Sequence, residues 1–434
     1  MKRRGRRAVA AWLGAALAAS AACTRADLER PDLVLIVVDA LRRDHLPFHG
    51  YPRNTAPFLT ELAARGVVFE RAHSTSSSTP PAVASLLTSL FPAEHGVVHG
   101  FSPSLRKDKP GRPRAHVTPL PDEAVTLAEV LGAAGYATFA VTQNPNVGAA
   151  LGFTQGFASF DHYPKSIEAE RIVARLEELK PVLQSRRPYF LYLHFMDVHA
   201  PYRARAPFFD ESLADEGARR ISAYDSGIHS LDARLRALFG RFGWDRDAFV
   251  VLTADHGEEL GERGRAGHAA TLFAEVLDIP LVMRPPGGLS VGRRHAVPVS
   301  LVDILPTLRQ AAGLPPSSSD SGRSLLPFVE GRQVPWPPRP LFASLSPPDQ
   351  EGLRATLLDG WKWVGTPEGD LLFDLSRDRE EQQNRAADDP ERLARLRALH
   401  ETFESGARRF QVDARTLALG EDDVENLRAL GYVR

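Results

Sequence analysis

One cysteine, Cys23, in a chain of 434 residues leaves no partner for an internal disulfide. No sign of charge dominates either: 53 Lys+Arg stand against 54 Asp+Glu, a formal net charge of -1. A chain without a global field gives no argument for nucleic acid or another polyanionic partner. There is no internal period of the kind that marks repeat architectures. Beyond the N-terminal segment no run is long and apolar enough to read as membrane-spanning. What remains, with 43% hydrophobic and 25% charged residues, is a globular composition with material for a large core.

The N-terminal segment is set apart from that core. Lys2, Arg3, Arg4, Arg6 and Arg7 precede a short apolar run, Ala8 to Ala19, and then Ser20-Ala21-Ala22-Cys23. Positive, apolar, small, then cysteine resembles a bacterial lipoprotein signal. That resemblance implies removal of residues 1–22, lipidation of Cys23 and export, with the protein lipid-anchored to a membrane at the cell envelope. Ser20 stands where such signals carry Leu or another aliphatic. Ordinary cleavage near Ala22, leaving a free thiol, is the alternative.

The rest alternates strand-like and helix-like stretches. Leu33–Val38 is an apolar run that stops on Asp39, and Ala248–Ala254 is another that stops on Asp255-His256-Gly257-Glu258. A third, Tyr189–Phe195, leads into Met196-Asp197-Val198-His199-Ala200-Pro201. Apolar runs of strand length that end on Asp and His read as buried parallel strands delivering ligand side chains to one sheet edge. Further strands are predicted at Val67–Phe69, Ala137–Thr142, Ile279–Met283 and Val297–Leu301. Helices are predicted at Thr55–Ala64 with Thr55 as cap, Ala82–Leu87 after Pro80 and Pro81, Thr126–Ala134, Ile167–Leu179, Glu216–Phe242 and Val302–Ala312. Phe101–Pro119 reads as a surface loop and Pro315–Gly322 as a Pro/Ser linker. Beyond it, short strands at Leu341–Leu345, Arg354–Leu358, Trp361–Val364 and Leu371–Phe373 predict an antiparallel α+β subdomain, closed by helices at Pro390–Phe403 and Asp422–Leu430. The expected fold is therefore α/β, a mostly parallel central sheet with helices on both faces over 32–315, followed by the small C-terminal subdomain over 323–434.

The ordered motifs resemble one family. Val37-Val38-Asp39-Ala40-Leu41-Arg42-Arg43-Asp44-His45-Leu46 is similar to the opening strand of sulfatases, members of the alkaline-phosphatase superfamily. Ala84–Pro92 is similar to their nucleophile helix and Ala254–Glu262 to their second metal segment. Thr126–Leu131, Leu372–Leu375 and Leu427–Tyr432 match further along, so the resemblance covers nearly the whole mature chain in order. It implies an exported, metal-dependent hydrolase of sulfate or phosphate esters.

Residue by residue, the resemblance puts the family's Cys or Ser, the formylglycine precursor, on Thr79, with Pro81 as the motif's proline. Ala82 and Val83 stand where Ser and Arg belong, and Ala40 where a second Asp is usual. Thr cannot form formylglycine, but it matches the nucleophile of superfamily members that handle phosphate, which favours phosphorus esters. Ser78 is one register off, and Ser78-Thr79-Pro80 also places a proline two residues on. Capping of the following helix is a competing role for Thr79. The implied metal set is Asp39, Thr79, Asp255 and His256 around one divalent ion, Ca, Mg, Mn or Zn. His199 and His268 are implied on the substrate side, as proton donors to a leaving alkoxide or, with Asp197, as ligands of a second ion. Asn144 is either a substrate contact or a turn residue before Pro145, and Lys362 either a distal contact or an exposed strand lysine. The expected substrate is a small-molecule, glycan or lipid-headgroup ester. Two other functions stay open: a membrane-surface phosphotransferase of the lipoteichoic-acid-synthase or phosphoethanolamine-transferase type, and a catalytically silent binding protein.

Overall fold

The computed structural model describes residues 30–101, 114–288, 292–346 and 351–430. The signal segment and Cys23, most of the Phe101–Pro119 stretch, and Gly431 and Tyr432 of the closing motif lie outside the described residues. Pro31–Arg434 forms one compact unit.

Among the described residues nine strands build its main sheet: β1 (Asp32–Val38), β2 (Val67–His73), β3 (Ala137–Thr142), β4 (Ser159–His162), β5 (Tyr189–Phe195), β6 (Ala248–Thr253), β7 (Asp278–Ile279), β8 (Leu281–Arg284) and β9 (Arg293–Ser300). They run in the order β7-β2-β8-β6-β1-β5-β3-β4, with β9 also paired to β2. β1 pairs in parallel with both β5 and β6, and β3 in parallel with β4 and β5, whereas β8 runs antiparallel to β2 and β6. Every residue of β1, β5 and β6 is buried, which explains their mostly apolar character: a parallel strand covered on both faces has no polar side to alternate with. Two sets of helices supply that cover. Pro57–Arg65 and Glu170–Ser185 pack on the long helix Glu216–Phe242, while Thr79–Thr88, Leu127–Ala133 and Ile304–Ala311 pack on one another.

A second sheet of four antiparallel strands follows, β10 (Leu341–Leu345), β11 (Leu353–Leu358), β12 (Trp361–Thr366) and β13 (Gly369–Asp374). Its Ala343, Ala355, Val364 and Phe373 share a buried cluster with Leu272, Val276 and Leu277 of the first part of the chain. Pro315–Gly322 is tied to the body as well: Ser321 donates its N–H to the Ser89 carbonyl (2.9 Å) and its hydroxyl to Glu94 (2.7 Å).

Several boundaries differ from the sequence expectation for identifiable reasons. Thr55 does not cap the first long helix, because its hydroxyl donates to the His45 carbonyl. The helix begins at Pro57 after Ala56, and its Phe58 and Leu59 amides are accepted by Asp232 from another helix, at 2.8 Å each. The expected Ile167–Leu179 helix runs Glu170–Ser185, through Pro181. The strand expected over Ile279–Met283 is divided at Pro280, which has no N–H for the ladder. The end of the Phe101–Pro119 stretch is a strand, Arg114–Val117, paired with Arg415–Ala418.

Candidate active site

Register assembles the site. Val37 pairs with Thr253 on one side and His194 on the other, and His194 pairs in turn with Thr142. Two residues beyond that row, the ends of β1, β6 and β3 present Asp39, Asp255 and Asn144 at one level. Asp39, Asp255 and His256 each bring one ligand atom within 4.8 Å of the others, and all three are fully buried. Gly257 lets the Asp255 turn close up: a Cβ there would stand 2.1 Å from the Glu275 carbonyl oxygen.

The helix Thr79–Thr88 brings the fourth group. Ser78 holds the cap position by its backbone angles and Thr79 is the first helical residue, so Thr79 is not the cap. Its hydroxyl instead faces inward, 3.2 Å from His256 Nε2 and 3.5 Å from Asp39 Oδ2. Ser77 Oγ donates to the Thr271 carbonyl (2.6 Å), Ala269 donates its N–H to the Ser77 carbonyl (2.9 Å), and Ser74 Oγ donates to the Asp255 carbonyl. The Ser/Thr-rich loop before the helix is therefore stitched to the Asp255–Thr271 segment, which explains its composition.

The hydrogen bonds assign the imidazole tautomers. His256 Nδ1 donates to the Gly257 carbonyl (2.8 Å), so the neutral ring carries its lone pair on Nε2. That lone pair lies 3.6 Å from Asp39 Oδ1 and 3.6 Å from Asp255 Oδ2. Those two carboxylate oxygens are buried and have no hydrogen-bond partner among the described residues. Two buried oxygens without a donor, beside an imidazole lone pair, are a costly arrangement for a dry core and the right donor set for a divalent cation. The residues fit one ion.

Asp39 Oδ2, by contrast, is held. His194 Nε2 lies 3.2 Å from it, and Asn144 Nδ2 donates to it and stands 3.3 Å from Thr79 Oγ1. An ionised carboxylate only accepts, so His194 carries its proton on Nε2 and its Nδ1 accepts from the Tyr192 hydroxyl at 2.8 Å. Burial pushes the Asp39 carboxyl up, but the His194 hydrogen bond, with the neighbouring His199 and His256 imidazoles, outweighs it and holds the group below the usual carboxylate range. With Oδ2 fixed by His194 and Asn144, Oδ1 would be the atom that holds a cation. Outer partners of this kind set ligand orientation, and His194→Ala is expected to weaken divalent-ion affinity roughly 10–100-fold. Tyr192→Phe, which frees the tautomer, is expected to do so in the same direction and less. Titration calorimetry on the two folded variants checks this, and unchanged affinity in both would count against the Tyr192–His194–Asp39 relay.

His199 and His268 lie side by side, their ring centroids 5.0 Å apart, and the His268 centroid is 4.4 Å from that of His256. His268 Nδ1 is 2.9 Å from Oε1 of the buried Glu258. Burial raises Glu258, yet His268 by charge and hydrogen bond, with His199 and His256, keeps it below the ordinary glutamate range. Asp197 does not join them, and the expected second-ion set of Asp197, His199 and His268 is corrected. Asp197 Oδ1 accepts the Ala169 N–H (3.2 Å) at the start of the Glu170–Ser185 helix and lies 3.8 Å from Arg205, and burial pushes its pKa up to about 7. Among the described residues the metal-competent cluster is Asp39, Asp255 and His256.

The remaining candidates also resolve. Asn144 is the turn residue, its side-chain oxygen accepting the Asn146 N–H (2.6 Å), and its Nδ2 turns to Asp39 Oδ2 and Thr79 Oγ1. Val83 belongs to the hydrophobic core, so nothing at that position replaces the arginine of the motif. Lys362 is neither exposed nor a ligand contact: it is 1% exposed and paired to Glu381 at 2.7 Å. His194 was missed, although Tyr192 two residues earlier signals a polar pair on one face of an otherwise apolar strand.

A family model for sulfatases matches residues 31–314. Human arylsulfatase A is 29% identical over 397 residues, covering 77% of this chain and 74% of that protein. Among solved structures, a phosphonate monoester hydrolase of Agrobacterium radiobacter is similar with a TM-score of 0.65 at 20% identity, covering 86% of this chain and 96% of that one. A 2-O GAG sulfatase is similar with a TM-score of 0.70 at 18% identity, covering 89% and 95%. With its strand ends, helix and imidazoles arranged in this order, the chain belongs to the sulfatase family.

Proposed function

We propose that this sulfatase-like ester hydrolase works through a covalent adduct on Thr79 and prefers phosphorus esters to sulfate esters. The observation that carries the proposal is the position of the Thr79 hydroxyl, buried among Asp39, Asn144 and His256 beside two carboxylate oxygens without donors. Asp39, Asp255 and His256 would hold a divalent ion, which would act as a Lewis acid favouring the Thr79 alkoxide and screening the anionic ester.

The chain's own residues do the rest. Asn144 Nδ2 orients Thr79 Oγ1, which releases its proton to solvent and attacks the phosphorus while the bond to the leaving oxygen breaks. The leaving alkoxide takes a proton from the His199–His268 pair, of which His268 is oriented by Glu258. Water then gives a proton to the deprotonated His199–His268 pair and attacks the phosphorus, the bond to Thr79 Oγ1 breaks, and the alkoxide takes a proton back from solvent. A formylglycine hydrate releases sulfate by collapsing to its aldehyde, whereas Thr79 has one hydroxyl and no such exit. Its adduct must be released by attack at the central atom, which suits phosphorus. The solved phosphonate monoester hydrolase shares this fold, in keeping with that reading. A screen of sulfate esters, phosphate monoesters and phosphodiesters with several divalent ions, with and without an added acceptor alcohol, tests it. Turnover confined to sulfate esters would refute the preference, and acceptor-dependent products would point to transfer.

Export with lipidation at Cys23 belongs to the same proposal, since the positive-apolar-small-Cys order supports it. Fatty-acid labelling is expected to mark the wild type and not Cys23→Ala; equal labelling of both rules it out.

A further inference from the structure

A cavity of about 350 Å³ lies between β2 and the β11–β12 hairpin, and no residue of the Thr79 cluster lines it. That volume is on the scale of small-molecule sites, roughly 300–1,000 Å³. Four arginines face it, Arg43, Arg71, Arg339 and Arg379, against two carboxylates, Asp278 and Asp359. Two of the four are already matched: Arg43 lies 3.5 Å from Asp278, and Arg339 is paired to Asp303. Arg71, half-buried, and Arg379, exposed, have no ion pair and no side-chain hydrogen bond among the described residues. Two guanidinium forks that make no ion pair, Arg379 feeling only the charge of Glu70, which is itself paired to Arg294 at 2.8 Å, are a fitting receptor for a tetrahedral oxyanion.

The other walls narrow the ligand. Trp336 and Trp361 line the cavity, and each is stiffened by a guanidinium over its ring, Arg323 at 5.5 Å and Arg392 at 4.2 Å. Rigid indoles offer flat apolar faces, and the Asp359 carboxylate and Ser376 hydroxyl offer acceptors at the same wall. A bare inorganic anion has no use for indoles or acceptors, and an acyl chain has no use for the guanidinium groups. A sugar ring bearing an ester oxyanion uses all three.

We propose that this cavity binds a sulfated or phosphorylated sugar unit, separate from the ester that meets Thr79. The test is calorimetric titration of the Thr79→Ala chain, which cannot turn the probes over by the proposed route, with glucose 6-sulfate, glucose 6-phosphate, glucose and inorganic sulfate. At least one sugar ester is expected to bind tenfold or more tighter than glucose or inorganic sulfate. Adding Arg71→Gln and Arg379→Glu is expected to weaken that binding at least tenfold, while adding Asp39→Asn and Asp255→Asn leaves it within twofold. Arg379 is exposed, so Arg379→Glu alone keeps the test valid if Arg71→Gln misfolds, and it is expected to cost at least threefold. Binding that survives the arginine changes, that disappears with the Asp39 and Asp255 changes, or that is absent for both esters overturns the proposal. Inorganic sulfate binding as tightly as the sugar esters overturns the assignment of a sugar.

Discussion

Thr79→Ala is expected to reduce turnover of a phosphorus ester by roughly 10⁴-fold or more, on the scale seen when a nucleophile is removed from a site whose other parts stay in place. Thr79→Ser keeps a hydroxyl on the same helical position and is expected to retain activity within about a hundredfold. Ser78→Ala is expected to matter little, because Ser78 occupies the cap position by its backbone and makes no side-chain capping bond, whereas Thr79 alone of the two reaches His256 and Asp39. The three rates, measured on one phosphodiester with the metal fixed, separate the two registers. If Ser78→Ala proved the damaging change and Thr79→Ala the mild one, the assignment would pass to Ser78.

Asp255→Asn is expected to lose the ion and the activity together, with divalent-ion affinity lowered roughly 100-fold or more, beyond the 10–100-fold typical of outer partners. Stability gives a second readout with a sign. Asp39 and Asp255 are both buried, and their donor-free oxygens both face His256 Nε2. Without the ion two like charges oppose each other there, so the chelated variant is expected to melt no lower than the chelated wild type. With the ion in 100-fold excess over its Kd, the wild type gains about 2.7 kcal/mol and the variant much less. Melting curves with chelator and with added metal read both effects. An equal metal-induced rise in the two proteins would mean that Asp255 does not hold the ion.

The clustering of Asp39, Asp255 and His256 was legible in the sequence because a buried parallel strand has few ways to end on a carboxylate. Asp39 and Asp255 close two apolar runs, and parallel register brings such ends to one level. The strand-and-helix alternation gave the sheet for the same reason, since its periodicity is local. Long-range hydrogen bonds left no local trace. Asp232 caps a helix more than a hundred residues upstream, and Asp197 reads as a site residue while serving the Glu170–Ser185 helix. Lys362 looks like a surface lysine until Glu381 folds onto it. His194 is the instructive omission. An imidazole within Tyr189–Phe195 reads as a core residue until the pairing of β1 with β5 places it against the Asp39 turn.

The central claim is that the ester passes through Thr79. Acid-quenching the enzyme during turnover of a phosphodiester carrying a labelled phosphoryl group, followed by peptide mapping, tests it directly. The account predicts label on the peptide that contains Thr79, fixed to that residue by fragmentation and absent from Thr79→Ala. Label on Ser78, or repeated turnover of a sulfate ester with no phosphorus ester accepted and no labelled peptide, would contradict it.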